Sequence, residues 1–249
     1  MRTNGARRVN HHKVYRLRTG TNTPVKKTVA GKIGILGGTF DPVHFGHLRT
    51  AEEIGHELSL QRVFLIPAAS PPHKIHDPVT PFDHRLAMVR LAVRESALLE
   101  ALDLEGRRVG LSYSFDTLKE LRSRFGMKAE IFFLVGSDAF IEIRTWKNYQ
   151  ALFEYANFVI IPRIGSDLGT LHNFILGLDK DVKKQDRKNV YTMSSGNNVI
   201  ILRSTLLDIS ATGIRDMVRG GKPITFLVPE AVRTYIHREE LYRVHENNR

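Results

Sequence analysis

The spacing of apolar residues changes abruptly near residue 40. Ile33, Ile35 and Leu36 form the short apolar run of a buried strand, and from there on Leu48, Ala51, Ile54 and Leu58 recur at helical spacing. Gly37 and Gly38 follow the strand as a turn and let the backbone approach an anion without Cβ atoms in the way; Pro42 marks the loop before the helix. The alternation continues downstream. Arg62 to Ile66, Ile131 to Val135, Phe158 to Ile161 and Val199 to Leu202 read as further strands, with helical patterns at about 45–58, 83–95, 115–125 and 148–155. This predicts an α/β fold, a doubly wound parallel sheet with helices on both faces and ligands at the carboxyl ends of its strands. The stretch from Ile164 to Asn198, with a short helix over Leu171 to Leu178 and then a polar Lys-Lys-Gln-Asp-Arg-Lys run, reads as a surface excursion.

Composition narrows the class. A chain of 249 residues that is 42% hydrophobic can bury a substantial core as one domain over 32–249, and no run of about eighteen apolar residues predicts a membrane span. The absence of cysteine excludes disulfides, thiolate zinc sites and a cysteine nucleophile, and fits a cytoplasmic location. The net charge of +11 is unevenly spread. Of the 37 Lys and Arg, nine lie in residues 1–40, which hold no acid, leaving 28 against all 26 Asp and Glu. The charge belongs to a basic extension over 1–31 that reads as disordered, and the near-neutral body argues against a specific nucleic-acid partner. An Arg-rich, acid-poor composition also resembles an organelle transit peptide, the lesser of the readings of this extension.

His44 and His47 lie three residues apart in the first turn of the first helix, where unpaired N–H groups and the positive dipole end favour a phosphate. Three further clusters follow predicted strand ends. Pro71-Pro72-His73-Lys74 is a stiff loop carrying an imidazole and an ammonium. Gly136-Ser137-Asp138 places an acid where it binds ribose hydroxyls or caps a helix, and Trp146, the single tryptophan, reads on its own as a core aromatic. In Ile209-Ser210-Ala211-Thr212-Gly213-Ile214-Arg215, Ser210 caps a helix running to about Val218, with Arg215 one turn inside. Serine, free backbone N–H groups and a guanidinium make a second phosphate clamp, and two clamps suit a triphosphate.

Gly37-Gly-Thr-Phe-Asp-Pro-Val-His-Phe-Gly-His47 resembles the (H/T)xGH signature of the nucleotidyltransferase superfamily, and Ile209 to Arg215 resembles its second signature, ISxTxIR. Pro71 to Lys74, Ser112 to Leu118, Gly136 to Asp138 with Trp146, and Val228 to His237 are similar to the bacterial nicotinate-nucleotide adenylyltransferase family, over about Lys32 to Arg243. The resemblance implies a Rossmann-like sheet of nucleotidyltransferase type, and adenylyl transfer from ATP to nicotinate mononucleotide, with Mg²⁺ accompanying ATP. It further implies His44, His47 and Arg215 as catalytic residues, with Gly37, Gly38, Thr39 and Phe40 lining the phosphate channel. Ser210, Thr212 and Arg215 would hold the distal phosphates, and Gly136 and Asp138 the ribose. The acceptor nucleotide would meet Lys74, Ser114, Asp138 and Trp146, the last stacking on the nicotinate ring. Ser114 stands where many relatives carry threonine, Ala211 replaces a common second serine, and Ile164 follows Arg163 where the family often has proline. The basic extension matches no family motif, and homo-oligomerisation is left open.

Rival readings keep the fold or change the chemistry. Phosphopantetheine adenylyltransferase shares the first signature but lacks the Pro-Pro-His-Lys and Trp146 context, and nicotinamide mononucleotide differs from nicotinate mononucleotide only by an amide for a carboxylate. His73, His76-Asp77 and Asp83-His84 would suit a metal phosphohydrolase, which needs a His-Asp pair on a helix; Pro78 and Pro81 count against a helix there.

Overall fold

The computed structural model describes residues 31–72, 78–163, 165–186 and 189–243. Lys74, the His76-Asp77 pair, Ile164 and all of the basic extension except Gly31 lie outside the described residues. Eight strands form one sheet: β1 (Gly31–Gly38), β2 (Arg62–Pro67), β3 (Leu99–Ala101), β4 (Ala129–Gly136), β5 (Asn157–Ile161), β6 (Lys183–Lys184), β7 (Val190–Thr192) and β8 (Asn198–Ile201). Their order is β3-β2-β1-β4-β5-β8-β7-β6. β1 runs parallel to both neighbours, with Ile35 opposite Phe64 on β2 and Phe133 on β4.

β7 and β6 depart from the all-parallel expectation, since β7 pairs antiparallel with β8 and β6 antiparallel with β7. The connection over 193–197 is too short for a crossover, so the chain can only return as a hairpin. Part of the expected surface excursion is therefore sheet edge. The short helix expected over 171–178 is α6 (Leu168–Leu176), and it starts earlier because Asp167 caps it, accepting from the N–H groups of Gly169 (2.8 Å) and Thr170 (3.3 Å).

Strand β4 explains the two layers. Ile131, Phe133 and Val135 point to one face, with Leu118 of α3 (Ser114–Phe125), Phe140 of α4 (Ser137–Ile141), Leu152 of α5 (Tyr149–Tyr155) and Leu171 of α6. Phe132 and Leu134 point to the other. There they join Ile54 of α1 (Phe45–Glu57), Val89 of α2 (Phe82–Ala92), Ile214 of α7 (Ala211–Arg219) and Val232 of α8 (Glu230–Arg238). A strand covered on both faces has no polar positions to spare, hence the unbroken apolar run. Pro81, counted against a helix, is the N-cap of α2, where a missing N–H costs nothing. Asp83 and His84 do lie on a helix, with His84 Nδ1 2.9 Å from the Tyr235 hydroxyl. Among the described residues no three His, Asp or Glu side chains converge as a metal site, and no helix is long and apolar enough to cross a membrane.

Strand order steps one way from β1 through β2 to β3 and the other way through β4 to β5. The crevice beyond the carboxyl ends of β1 and β4 is thus the switch point of the sheet, where ligands enter folds of this kind.

Candidate active site

Gly37 and Gly38 are the last residues of β1, opposite Ile66 and Pro67, and not yet a turn. The bend comes at Phe40, whose φ is +50°. A Cβ on Gly38 would stand 3.1 Å from the Phe40 ring, so the glycine lets that ring fold back beneath the loop, where it is only 2% exposed. Phe40 then supports His47 edge-on, with ring centroids 5.0 Å apart. His44 is the N-cap of α1 and His47 its third residue, and the two imidazoles stack at 3.7 Å. Gly46 makes room for this, because a Cβ there would lie 3.0 Å from His44 Nδ1.

The hydrogen bonds fix what the histidines can do. The backbone N–H of His44 donates to His47 Nδ1 at 3.3 Å. Burial, then the His44 ring, then Arg163 hold the His47 pKa well below 6.5, so the ring is neutral at pH 7. With Nδ1 accepting, the single proton sits on Nε2, which becomes a donor. His44 is 6% exposed, its Nδ1 is buried with no hydrogen-bond partner among the described residues, and burial reinforced by Arg163 lowers its pKa to about 4.

The second clamp closes from the far half of the sheet. Ser210 caps α7, its hydroxyl accepting from the Gly213 N–H at 3.0 Å, which leaves the N–H groups of Ala211 and Thr212 in the unpaired first turn. Arg215 donates to the Thr212 hydroxyl at 3.1 Å and to the Asp41 carbonyl at 2.7 Å. That last bond ties α7 to the loop between β1 and α1. Asp41 is itself 3% exposed and held by the Thr80 N–H (3.1 Å) and the Tyr242 hydroxyl (2.7 Å). Burial and the Asp41 carboxylate push the Tyr242 pKa up, keeping it a donor.

At the end of β4, Asp138 does not cap a helix. It is the second residue of α4, exposed and paired with Arg163 at 3.2 Å. Gly136 permits this position, since a Cβ there would meet Asp138 Oδ1 at 2.6 Å. Ser114 opens α3, and Trp146 is half-buried with its ring edge-on to Phe133 at 6.4 Å. Lys147, next to Trp146, bonds Asp116 of α3 at 2.9 Å, joining the segments that carry Trp146 and Ser114. The loop after β2 reaches the same region, because Ser112 N–H donates to Ser70 O (2.9 Å) and Ser70 N–H to Ser112 Oγ (3.1 Å).

The sequence profile of the Cytidylyltransferase-like family matches residues 35–217. A protein of Geotalea uraniireducens described as "Probable nicotinate-nucleotide adenylyltransferase" is 42% identical over 85% of this chain and 98% of its own length. A protein of Geobacter sulfurreducens with the same description matches equally, 42% over 85% and 98%. The chain belongs to the nicotinate-nucleotide adenylyltransferase family. Its fold is also that of the Plasmodium falciparum nicotinic acid mononucleotide adenylyltransferase solved with NaAD, at a TM-score of 0.63 and 18% identity, covering 85% of this chain and 97% of that one.

Within this adenylyltransferase family member, the Arg215–Asp41 bond joins the two expected clamps, Asp138 lies just after β4, Ser114 opens α3, and Trp146 follows the turn at 143–145 and packs on Phe133 of β4. Lys74 lies outside the described residues. Sequence reasoning missed Asp41, Arg85, Arg163 and Tyr242. Arg85 carried a usable signal, a charge at helical spacing from the buried Met88 and Val89. Tyr242 carried none, since it reaches the site from about 200 residues away in sequence.

Proposed function

We propose that this member of the nicotinate-nucleotide adenylyltransferase family transfers the adenylyl group of ATP to nicotinate mononucleotide, giving deamido-NAD and pyrophosphate. A phosphate oxygen of the mononucleotide attacks the α-phosphorus in line, the bond from that phosphorus to the bridging oxygen breaks, and pyrophosphate leaves with the electron pair. A phosphate monoester has its second pKa near 6, so the attacking phosphate is already mostly dianionic at neutral pH and needs no general base. The protein's work is positioning and charge neutralisation.

The observation that carries this reading is the fixed tautomer of His47. Its Nδ1 is occupied by the His44 N–H, which leaves Nε2–H as the donor that would meet a phosphate at this helix start. His44 adds an imidazole whose buried Nδ1 has no partner among the described residues. The first-turn N–H groups of α7, with Ser210, Thr212 and Arg215, would take the β- and γ-phosphates; Gly37, Gly38 and the backbone of Thr39 and Phe40 form the channel wall. Gly136 and Asp138 would hold the ribose, and Lys74, Ser114 and Trp146 the nicotinate nucleotide. Mg²⁺ would accompany ATP to the site, as the resemblance implies. It would supply positive charge against the phosphates. A cysteine-free composition supports a cytoplasmic location.

Pyrophosphate release from Mg-ATP with nicotinate mononucleotide, nicotinamide mononucleotide or phosphopantetheine as acceptor tests the reading. Release that is much faster with nicotinate mononucleotide is expected. Faster release with either other acceptor would overturn the substrate, and none with any of them would overturn the reaction.

A further inference from the structure

Arg85 is enclosed to 1% exposure, and among the described residues it forms no ion pair with a carboxylate; its guanidinium donates to backbone carbonyls. Nη1 donates to Thr39 O at 2.8 Å and Ala68 O at 2.6 Å, Nε to Thr80 O at 2.7 Å and Nη2 to Ala69 O at 3.2 Å. Thr39 lies in the loop from β1 that leads to His44. Ala68 and Ala69 open the β2–α2 connection and Thr80 closes it. Ala68 is followed closely by Ser70, whose two hydrogen bonds with Ser112 lead towards Ser114. One planar, five-donor group therefore spans both loops, a task that the single nitrogen of lysine cannot perform.

We propose that Arg85 is a positioning residue for adenylyl transfer, fixing the loop that holds the ATP phosphates at a set distance from the loop that approaches the acceptor nucleotide. This rests on the adenylyl-transfer reading. Each substrate still finds its own loop without Arg85, but the attacking oxygen and the α-phosphorus lose their alignment. A misplacement of about 1 Å costs on the order of a hundredfold in rate.

The test compares Arg85→Lys with Arg122→Lys. Arg122 is likewise bonded to carbonyls, those of Gly126, Ala129 and Tyr155, but at the amino end of β4, away from the switch point. Arg85→Lys is expected to lower kcat per folded enzyme by roughly 10- to 100-fold, with KM for Mg-ATP and for nicotinate mononucleotide each moving less than about threefold. Arg122→Lys is expected to lower the melting temperature and keep kcat within about twofold. A kcat for Arg85→Lys within twofold of the parent, or an equal fall in Arg122→Lys, would overturn the proposal. Should Arg85→Lys fail to fold, Arg85→Gln, whose amide keeps two donors, takes its place, and an unchanged kcat per folded enzyme there overturns the proposal as well. A parent enzyme that releases no pyrophosphate with any acceptor overturns the functional reading, and the proposal with it, whereas an active parent with unaffected variants overturns the proposal alone.

Discussion

A neutral imidazole has one proton to give, and at His47 the backbone of His44 decides where it sits. His47→Ala is therefore expected to lower kcat by about a hundredfold or more, the usual size for one preorganised donor, with a native circular dichroism spectrum; near-normal turnover in steady-state pyrophosphate release would remove the histidine from the mechanism. The partner ring makes a separate statement about stability. His44 has a folded pKa of about 4 against 6.5 for the free side chain. Because the folded value is the lower one, the unfolded chain takes up the proton first as pH falls. The contribution is present above pH 6.5 and drains away between 6.5 and 4. From pH 7 to pH 5 that amounts to about 2 kcal/mol. Urea unfolding at the two pH values should show a smaller loss in His44→Gln than in the parent, and equal losses would mean that the buried ring is not the titrating group.

Helix α7 is an element that folding needs and that the proposed ATP site would use as well. Its first turn is capped by one hydroxyl, so Ser210→Ala should cost about 1 kcal/mol of stability and weaken ATP binding, read as a lower melting temperature and a smaller upward shift on adding Mg-ATP. A full ATP-induced shift in the variant would leave Ser210 as a cap only. This helix, like β1, α1 and β4, was legible in the sequence, because each combines a clean apolar period with a cap or glycine at its boundary. The elements that escaped lack that combination. Lys183–Lys184 has two exposed lysines and no apolar residue, so nothing in it announces a strand; only the partner Tyr191, fully buried on β7, gives it a place. Gly37 and Gly38 read as a turn because glycine favours turns, whereas parallel pairing on β2 holds both in the strand. His44, His47, Ser210 and Arg215 were legible as a site because each sits in a local motif. Asp41 and Tyr242 were not, since the bond between them joins positions far apart in the chain, which periodicity does not register.

Across the whole molecule, most of the formal charge lies apart in sequence from the proposed site. Both clamps and the acceptor side lie on the body of the fold, while residues 1–30 carry eight Lys or Arg and no acid, so deleting them lowers the formal net charge from +11 to +3. What a positive extension can do is attract an anionic nucleotide over a distance, and that attraction is screened beyond about 8 Å at 0.15 M salt. Removal of residues 1–30 should thus leave kcat within about twofold of the full chain at every ionic strength. Any rise in KM for Mg-ATP should be confined to low salt and vanish near 0.15 M. Steady-state kinetics of the two chains across a salt series checks this: a salt-independent fall in kcat would mean that the extension contributes groups to the reaction and that the site is larger than the switch-point crevice.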